Sequence, residues 1–123
     1  MKFFVYGTLK RGFPNARFIP DKHIQSAVPA RLKGFDMYST GAFPAIIRGE
    51  GVSQGELITL KSDAPAQEIL RSVDQLENEG RMYRRETLPV ITKSGDIEEA
   101  YVYVWLYETT RLKRIKDNIW HKR

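Results

Sequence analysis

One stretch of this 123-residue chain, Ser62 to Gly80, is clearly helical in its period, and most other apolar segments have the composition of strands. In "SDAPAQEILRSVDQLENEG", Ser62 or Asp63 can cap the N-terminus, Pro65 suits the first turn, and Glu68 complements the positive end of the helix. Ile69, Leu70, Val73 and Leu76 form the apolar stripe, and Gly80 follows the expected stop. The segments "KFFVYG", "ARLKGFDMYS", "GVSQGELITL", "MYRRETLPVIT" and "EEAYVYVWLYE" read as strands. Gly49 and Gly51 suggest a turn before the third of these, and "KSGD" suggests a hairpin turn before the last. A single helix rules out a βαβ alternation. The expected class is α+β, a small, mainly antiparallel β-barrel with one helix packed against it.

In the last strand Tyr101, Tyr103, Trp105 and Tyr107 share one face, and Ala100, Val102, Val104 and Leu106 share the other, so both faces need cover. The length suits one domain. Residues 1–110 form that domain, and residues 111–123 form a basic tail. Leu112, Ile115 and Ile119 recur there at near-helical spacing, which predicts a short docked helix. Of the net charge of +5, +4 falls between Glu108 and Arg123. A basic tail beside an aromatic row would suit single-stranded nucleic acid, although such a row more commonly packs, and a basic tail is more commonly a solvated face.

The chain has no cysteine, which excludes disulfides, thiolate nucleophiles and Cys-ligated metals and fits a reducing compartment, with the cytoplasm expected. No apolar run approaches the ~20 residues of a membrane span, and "MKFFVYGTLKRG" lacks the h-region of a signal peptide. No Gly-rich phosphate loop, G-x-G-x-x-G or G-x-S-x-G motif occurs, and His23 and His121 show no ligand spacing. No cofactor or metal is implied.

Two features remain. Glu77 falls four residues after Val73 and eight after Ile69, on the inward stripe of the helix near its negative end. Burial and the dipole there both raise a carboxyl pKa, which suits proton transfer near neutral pH. The other reading is a Glu turned outward at the helix end to pair with Arg81, Arg84 or Arg85. The second feature is the exit of the first strand, Tyr6-Gly7-Thr8-Leu9. There Gly7 serves either backbone geometry alone or a close approach of main-chain N–H groups to an anionic ligand. Lys10 and Arg11 would be the exposed end of that strand.

Taken together, "VYGTLKRG", the Phe-Pro segment in "GAFPAII", the "GEL" of residues 55–57 and "VDQLENEGRMYRRE" resemble the γ-glutamylcyclotransferase-like (AIG2-like) family, closest to the γ-glutamylamine cyclotransferases. The resemblance runs from about residue 3 to residue 107 and rests on Y-G-[ST]-L and on Asp74, Glu77, Tyr83 and Arg85. It implies Glu77 as catalytic acid/base and a substrate pocket lined by Tyr6, Gly7, Thr8, Leu9 and Tyr83. Asp74 is expected to pair locally. Ile58 stands where members often have Tyr, and the basic tail has no assigned counterpart in the resemblance.

The implied reaction is intramolecular: the α-amine of a small γ-glutamyl substrate attacks its own side-chain carbonyl, closes 5-oxoproline and expels an amine. Tyr6 or Tyr83 would add a hydroxyl donor. The partner is then a small molecule, with no membrane or nucleic acid and no particular oligomeric state implied. A carboxylate-binding module of the same fold and the nucleic-acid barrel are the alternative readings.

Overall fold

The computed structural model describes residues 1–122. Six strands and one α-helix follow in the order β1 (Lys2–Val5), β2 (Ile24–Ser39), β3 (Pro44–Leu60), α1 (Ala66–Leu76), β4 (Tyr83–Thr92), β5 (Ile97–Trp105) and β6 (Lys113–Arg114). Two short 3₁₀ turns, Ala16–Phe18 and Asp21–His23, lie between β1 and β2. β1 pairs antiparallel with β3 and parallel with β5, β5 with β4, β4 with β2, and β2 again with β3. Strands β1 to β5 therefore close into a barrel, and β6 adds to β2. Closure leaves few ladder groups free for another chain.

Strand alternation divides the core in two. Phe4, Tyr6, Leu32, Met37, Leu57, Val90, Val102 and Val104 fill one cluster, the barrel interior. Phe3, Val5, Ile58, Tyr83 and Tyr103 point the other way and meet Ile69, Leu70 and Val73 of α1. Burying each of those three helix side chains is worth roughly 1.5–3 kcal/mol, and this fixes the helix on the barrel wall. The aromatic row of β5 is spent in the same layer: Tyr103 is buried and Tyr101 and Trp105 pack beside it. Only Tyr107, 58% exposed, stands out of it. The row is thus a packing surface rather than an open stacking face.

The expected turn at Gly49 and Gly51 does not form. β2 and β3 are one long hairpin, and both glycines lie within β3 opposite a register shift at Gly34, whose φ is 84°. The glycines make room for Asp36. A Cβ on Gly49 would lie 2.1 Å from Asp36 Oδ2, and one on Gly51 would lie 2.3 Å from Oδ1. Gly51 N donates to that same Oδ1 at 2.8 Å, so the bulge is held by a side chain.

Nor does the tail form a helix. Residues 111–122 run extended or in turns, with Lys113 and Arg114 pairing to Ser39 and Tyr38. Arg114 reaches Asp36 Oδ1 at 3.1 Å and Asn118 Oδ1 at 2.7 Å, and Asn118, at φ 56°, also accepts Met37 N. Trp120 then enters the interior cluster. A left-handed residue at 118 is incompatible with helix, and these contacts make the tail a strap over the barrel instead. Arg123 lies outside the described residues.

Lys10 and Arg11 are likewise not an exposed exit. Lys10 is 8% exposed, and its ammonium donates to Trp120 O at 2.6 Å. The Arg11 guanidinium donates to the carbonyls of Leu9, Ala16 and Ile19 and pairs with Asp21. Both cations therefore fasten the loop that follows β1.

Candidate active site

α1 begins later than the cap residues suggest. Pro65 is its N-cap residue, without a side-chain cap, and Ser62 and Asp63 lie outside it. Its other end explains Glu77. Asn78 takes a left-handed conformation, φ 53°, while Asn78 N donates to Gln75 O and Glu79 N to Asp74 O. These two bonds are the Schellman pattern, with Asn78 rather than Gly80 as the left-handed residue. Glu77 is the C-cap residue, its own N–H bound to Val73 O. The local backbone is thus satisfied without using the Glu77 side chain.

That side chain lines a cavity of roughly 350 Å³, counting its open mouth, together with Tyr6, Gly7, Thr8, Leu9 and Tyr83. All six residues singled out by the sequence share this one cavity. Phe4, Val5, Phe43, Pro44 and Tyr103 complete the wall. Among the described residues none donates a hydrogen bond to the Glu77 carboxylate, and Arg81, Arg84 and Arg85 do not pair with it. Burial alone raises its pKa from 4.5 to about 7. Its charge in turn helps burial to push the phenols of Tyr6, Tyr83 and Tyr103 well above their ordinary value.

Facing the carboxylate is the end of β1. The ladder with β3 stops at Val5, and Lys10 N turns back to Gly7 O at 3.1 Å. The N–H groups of Gly7, Thr8 and Leu9 donate to no acceptor among the described residues. Unpaired main-chain donors are uncommon in a folded protein, and three in succession make a nest for negative charge. Asn15 steadies it: its N–H donates to Thr8 O at 2.8 Å and its side-chain amide to Thr8 Oγ1 at 2.9 Å.

Gly7 has a steric reason of its own. A Cβ at this position would fall 2.6 Å from Pro44 Cγ, so the strand exit and the Phe43-Pro44 segment can close the pocket wall only with glycine here. Pro44 O accepts the Tyr83 hydroxyl and Tyr103 O accepts that of Tyr6. Both phenolic protons are committed to backbone carbonyls. The expectation that Tyr6 or Tyr83 would donate to a ligand is therefore corrected: the Tyr83 oxygen presents a lone pair suited to an ammonium N–H, while the Tyr6 oxygen already takes the Ile46 backbone N–H.

Asp74 does pair locally, though with a wider reach than its own turn. It accepts the Tyr103 hydroxyl at 2.6 Å and an Arg85 guanidinium N–H. This triad ties α1 to β4 and β5 and fixes the Tyr103 ring in the pocket wall. Sequence reasoning named Asp74 and Arg85 but missed Asn15 and the inward place of Tyr103. Among the described residues, no three or more His, Asp or Glu side chains converge as metal ligands. No helix among them is long and apolar enough to cross a membrane.

Known proteins resemble this chain in sequence and in fold. The chain is 31% identical over 115 residues to the gamma-glutamylaminecyclotransferase of Mus musculus, covering 81% of this chain and 74% of that protein. It is 25% identical over 120 residues to the gamma-glutamylcyclotransferase family protein YtfP of Escherichia coli K12, covering 98% and 96%. In fold it matches the crystal structure of an uncharacterised protein from Pyrococcus horikoshii with a TM-score of 0.71 at 24% identity, over 97% of this chain and 88% of the other. The model of the family described as "Gamma-glutamyl cyclotransferase, AIG2-like" matches residues 3–122, so the basic strap falls inside the family pattern. The chain belongs to the gamma-glutamyl cyclotransferase, AIG2-like family.

Proposed function

We propose that this protein is a γ-glutamylamine cyclotransferase in which Glu77 is the acid/base. The observation that carries the reading is a carboxylate without a protein partner, in one pocket with three unpaired main-chain N–H groups. The similarity to the mouse gamma-glutamylaminecyclotransferase supports the substrate class.

The substrate brings its own nucleophile, so the protein has to fold it and move protons. The α-carboxylate or the developing oxyanion sits on the N–H groups of Gly7, Thr8 and Leu9, while a lone pair of the Tyr83 oxygen accepts from the α-ammonium. Glu77 as carboxylate takes a proton from that ammonium. The freed amine attacks the γ-carbonyl carbon, and the five-membered ring closes. As the tetrahedral intermediate collapses, the C–N bond to the leaving group breaks and Glu77 returns the proton to the departing nitrogen. The products are 5-oxoproline and an amine, with no water consumed. A pKa of about 7 leaves Glu77 able to do both jobs near neutral pH.

A panel of γ-glutamyl amides assayed for 5-oxoproline tests this, with Glu77→Gln as the partner variant. Wild-type turnover lost in the variant, with binding kept, is the expected result. Binding of the same amides without 5-oxoproline release by the wild type would make the chain a binding module instead.

A further inference from the structure

The pocket does not end at Glu77. Thr8, Phe43, Glu77 and Tyr83 also line a broader outer cleft of roughly 810 Å³, counting its open side, whose further walls are Pro14, Asn15, Ala42, Leu76 and Met82. The carboxylate therefore stands at the junction of an inner chamber and an outer one. In the proposed reaction Glu77 delivers its proton to the leaving nitrogen, so the group attached to that nitrogen extends into the outer cleft.

The walls of that cleft state what they will accept. Apart from Glu77, none of its lining residues carries a charge. One N–H of the Asn15 amide is spent on Thr8 Oγ1. The neighbouring carboxylates are engaged elsewhere, Asp74 with Arg85 and Tyr103, and Glu79 with the Arg85 N–H. Beside Ala42 stands a cation, Lys122, whose ammonium donates to Gly41 O at 2.6 Å. A leaving amine with a second ammonium would meet Lys122 and find no counter-charge except Glu77, whose titration the reaction needs. An aliphatic or aromatic leaving group would bury its carbon against Phe43, Leu76 and Met82.

We infer that the outer cleft is a leaving-group subsite selecting γ-glutamyl amides of uncharged, apolar primary amines, with Met82 as a specificity-determining residue. This rests on the cyclotransferase reading. The reaction is unchanged in its balance: one C–N bond closes the ring, one C–N bond releases the apolar amine, and the proton passes through Glu77.

The test compares kcat/KM of the full chain for γ-glutamyl-isopentylamide, γ-glutamyl-benzylamide and mono-γ-glutamylcadaverine, whose leaving diamine carries a second ammonium and no carboxylate, read as 5-oxoproline. The apolar amides should exceed the diamine amide by about tenfold or more, the scale on which an apolar pocket discriminates. Met82→Glu, which supplies the missing counter-charge at a half-buried surface position, should shift the ratio toward the diamine amide. Met82→Gln should not shift it. Equal or better use of the diamine amide by the wild type overturns the inference while leaving the cyclotransferase standing. Failure of all three amides to release 5-oxoproline overturns the cyclotransferase reading and the inference with it.

Discussion

Replacing Glu77 by Gln should make the protein more stable, and only at high pH. The carboxyl pKa is raised by burial from 4.5 to about 7, with no cation in compensation. At about 1.4 kcal/mol for each tenfold change in proton affinity, that difference amounts to about 3 kcal/mol. The sign follows from which state holds the proton. Between pH 4.5 and about 7 the folded protein is protonated at Glu77 while the unfolded chain is ionised, so stability falls as pH rises through this window. Below it the wild type and Glu77→Gln are both neutral at this position and should unfold alike. Above about pH 8 the wild type carries the full cost of a half-buried charge, and the Gln variant should be more stable by up to about 3 kcal/mol. The groups facing Glu77, the phenols of Tyr6, Tyr83 and Tyr103, are pushed upward and do not titrate in this range. Urea unfolding followed by circular dichroism at several pH values and constant ionic strength measures the difference directly. A stability difference that stays flat from pH 4 to 9, or a Gln variant less stable at pH 8.5, would refute the claim that burial without a partner sets this pKa.

The same ionisation should appear in the rate: kcat/KM for a γ-glutamyl amide should rise through about pH 7 as Glu77 becomes a base, and a flat profile from pH 5.5 to 8 would contradict that role. Gly7→Ala should cost about 1–3 kcal/mol in thermal unfolding and raise KM, because its Cβ lands 2.6 Å from Pro44 in the pocket wall. An unchanged melting temperature would show that Pro44 moves aside freely. Trp120→Ala should cost about 3–5 kcal/mol in denaturant unfolding, since this side chain belongs to the interior cluster; a loss below about 1 kcal/mol would mean the strap is dispensable. A saturating γ-glutamyl ligand at about a hundred times its Kd should stabilise both wild type and Glu77→Gln by about 2.7 kcal/mol, and stabilisation of neither would remove the pocket as a ligand site.

What the sequence made legible was local and periodic. The stripe Ile69, Leu70, Val73 predicts a helix, and the step of four from Val73 to Glu77 predicts an inward carboxyl at its end; both follow from geometry that the next few residues do not alter. The alternation in β5 is of the same kind. The errors came from contacts made at a distance along the chain. Gly49 and Gly51 look like a turn because turns are the common use of clustered glycine, yet here they admit the side chain of Asp36. Leu112, Ile115 and Ile119 fit a helical period by accident of spacing, while Arg114, Asn118 and Trp120 are held by β2, β3 and the loop after β1. Lys10 looked solvated because lysine rarely is otherwise; its carbonyl partner lies 110 residues away in sequence.

The proposed site lies where two backbone solutions leave something over. In a closed barrel each strand finds neighbours on both sides, but β1 is only four residues long, and when it leaves the ladder after Val5 its next three residues, Tyr6 aside, have donors and no strand to receive them. At the end of α1 the reverse holds: the Schellman bonds of Asn78 and Glu79 use the helix carbonyls, so the Glu77 side chain is not needed to finish the helix. Each leftover costs stability on its own, about 1–3 kcal/mol for a buried polar group without a partner. Pro44 against Gly7 holds the strand exit in one cavity with Glu77, yet no hydrogen bond joins the N–H groups to the carboxyl, so each is left for a ligand to satisfy. A ligand with a carboxylate for the first and an ammonium for the second resolves both, and a γ-glutamyl group carries that pair on a single carbon.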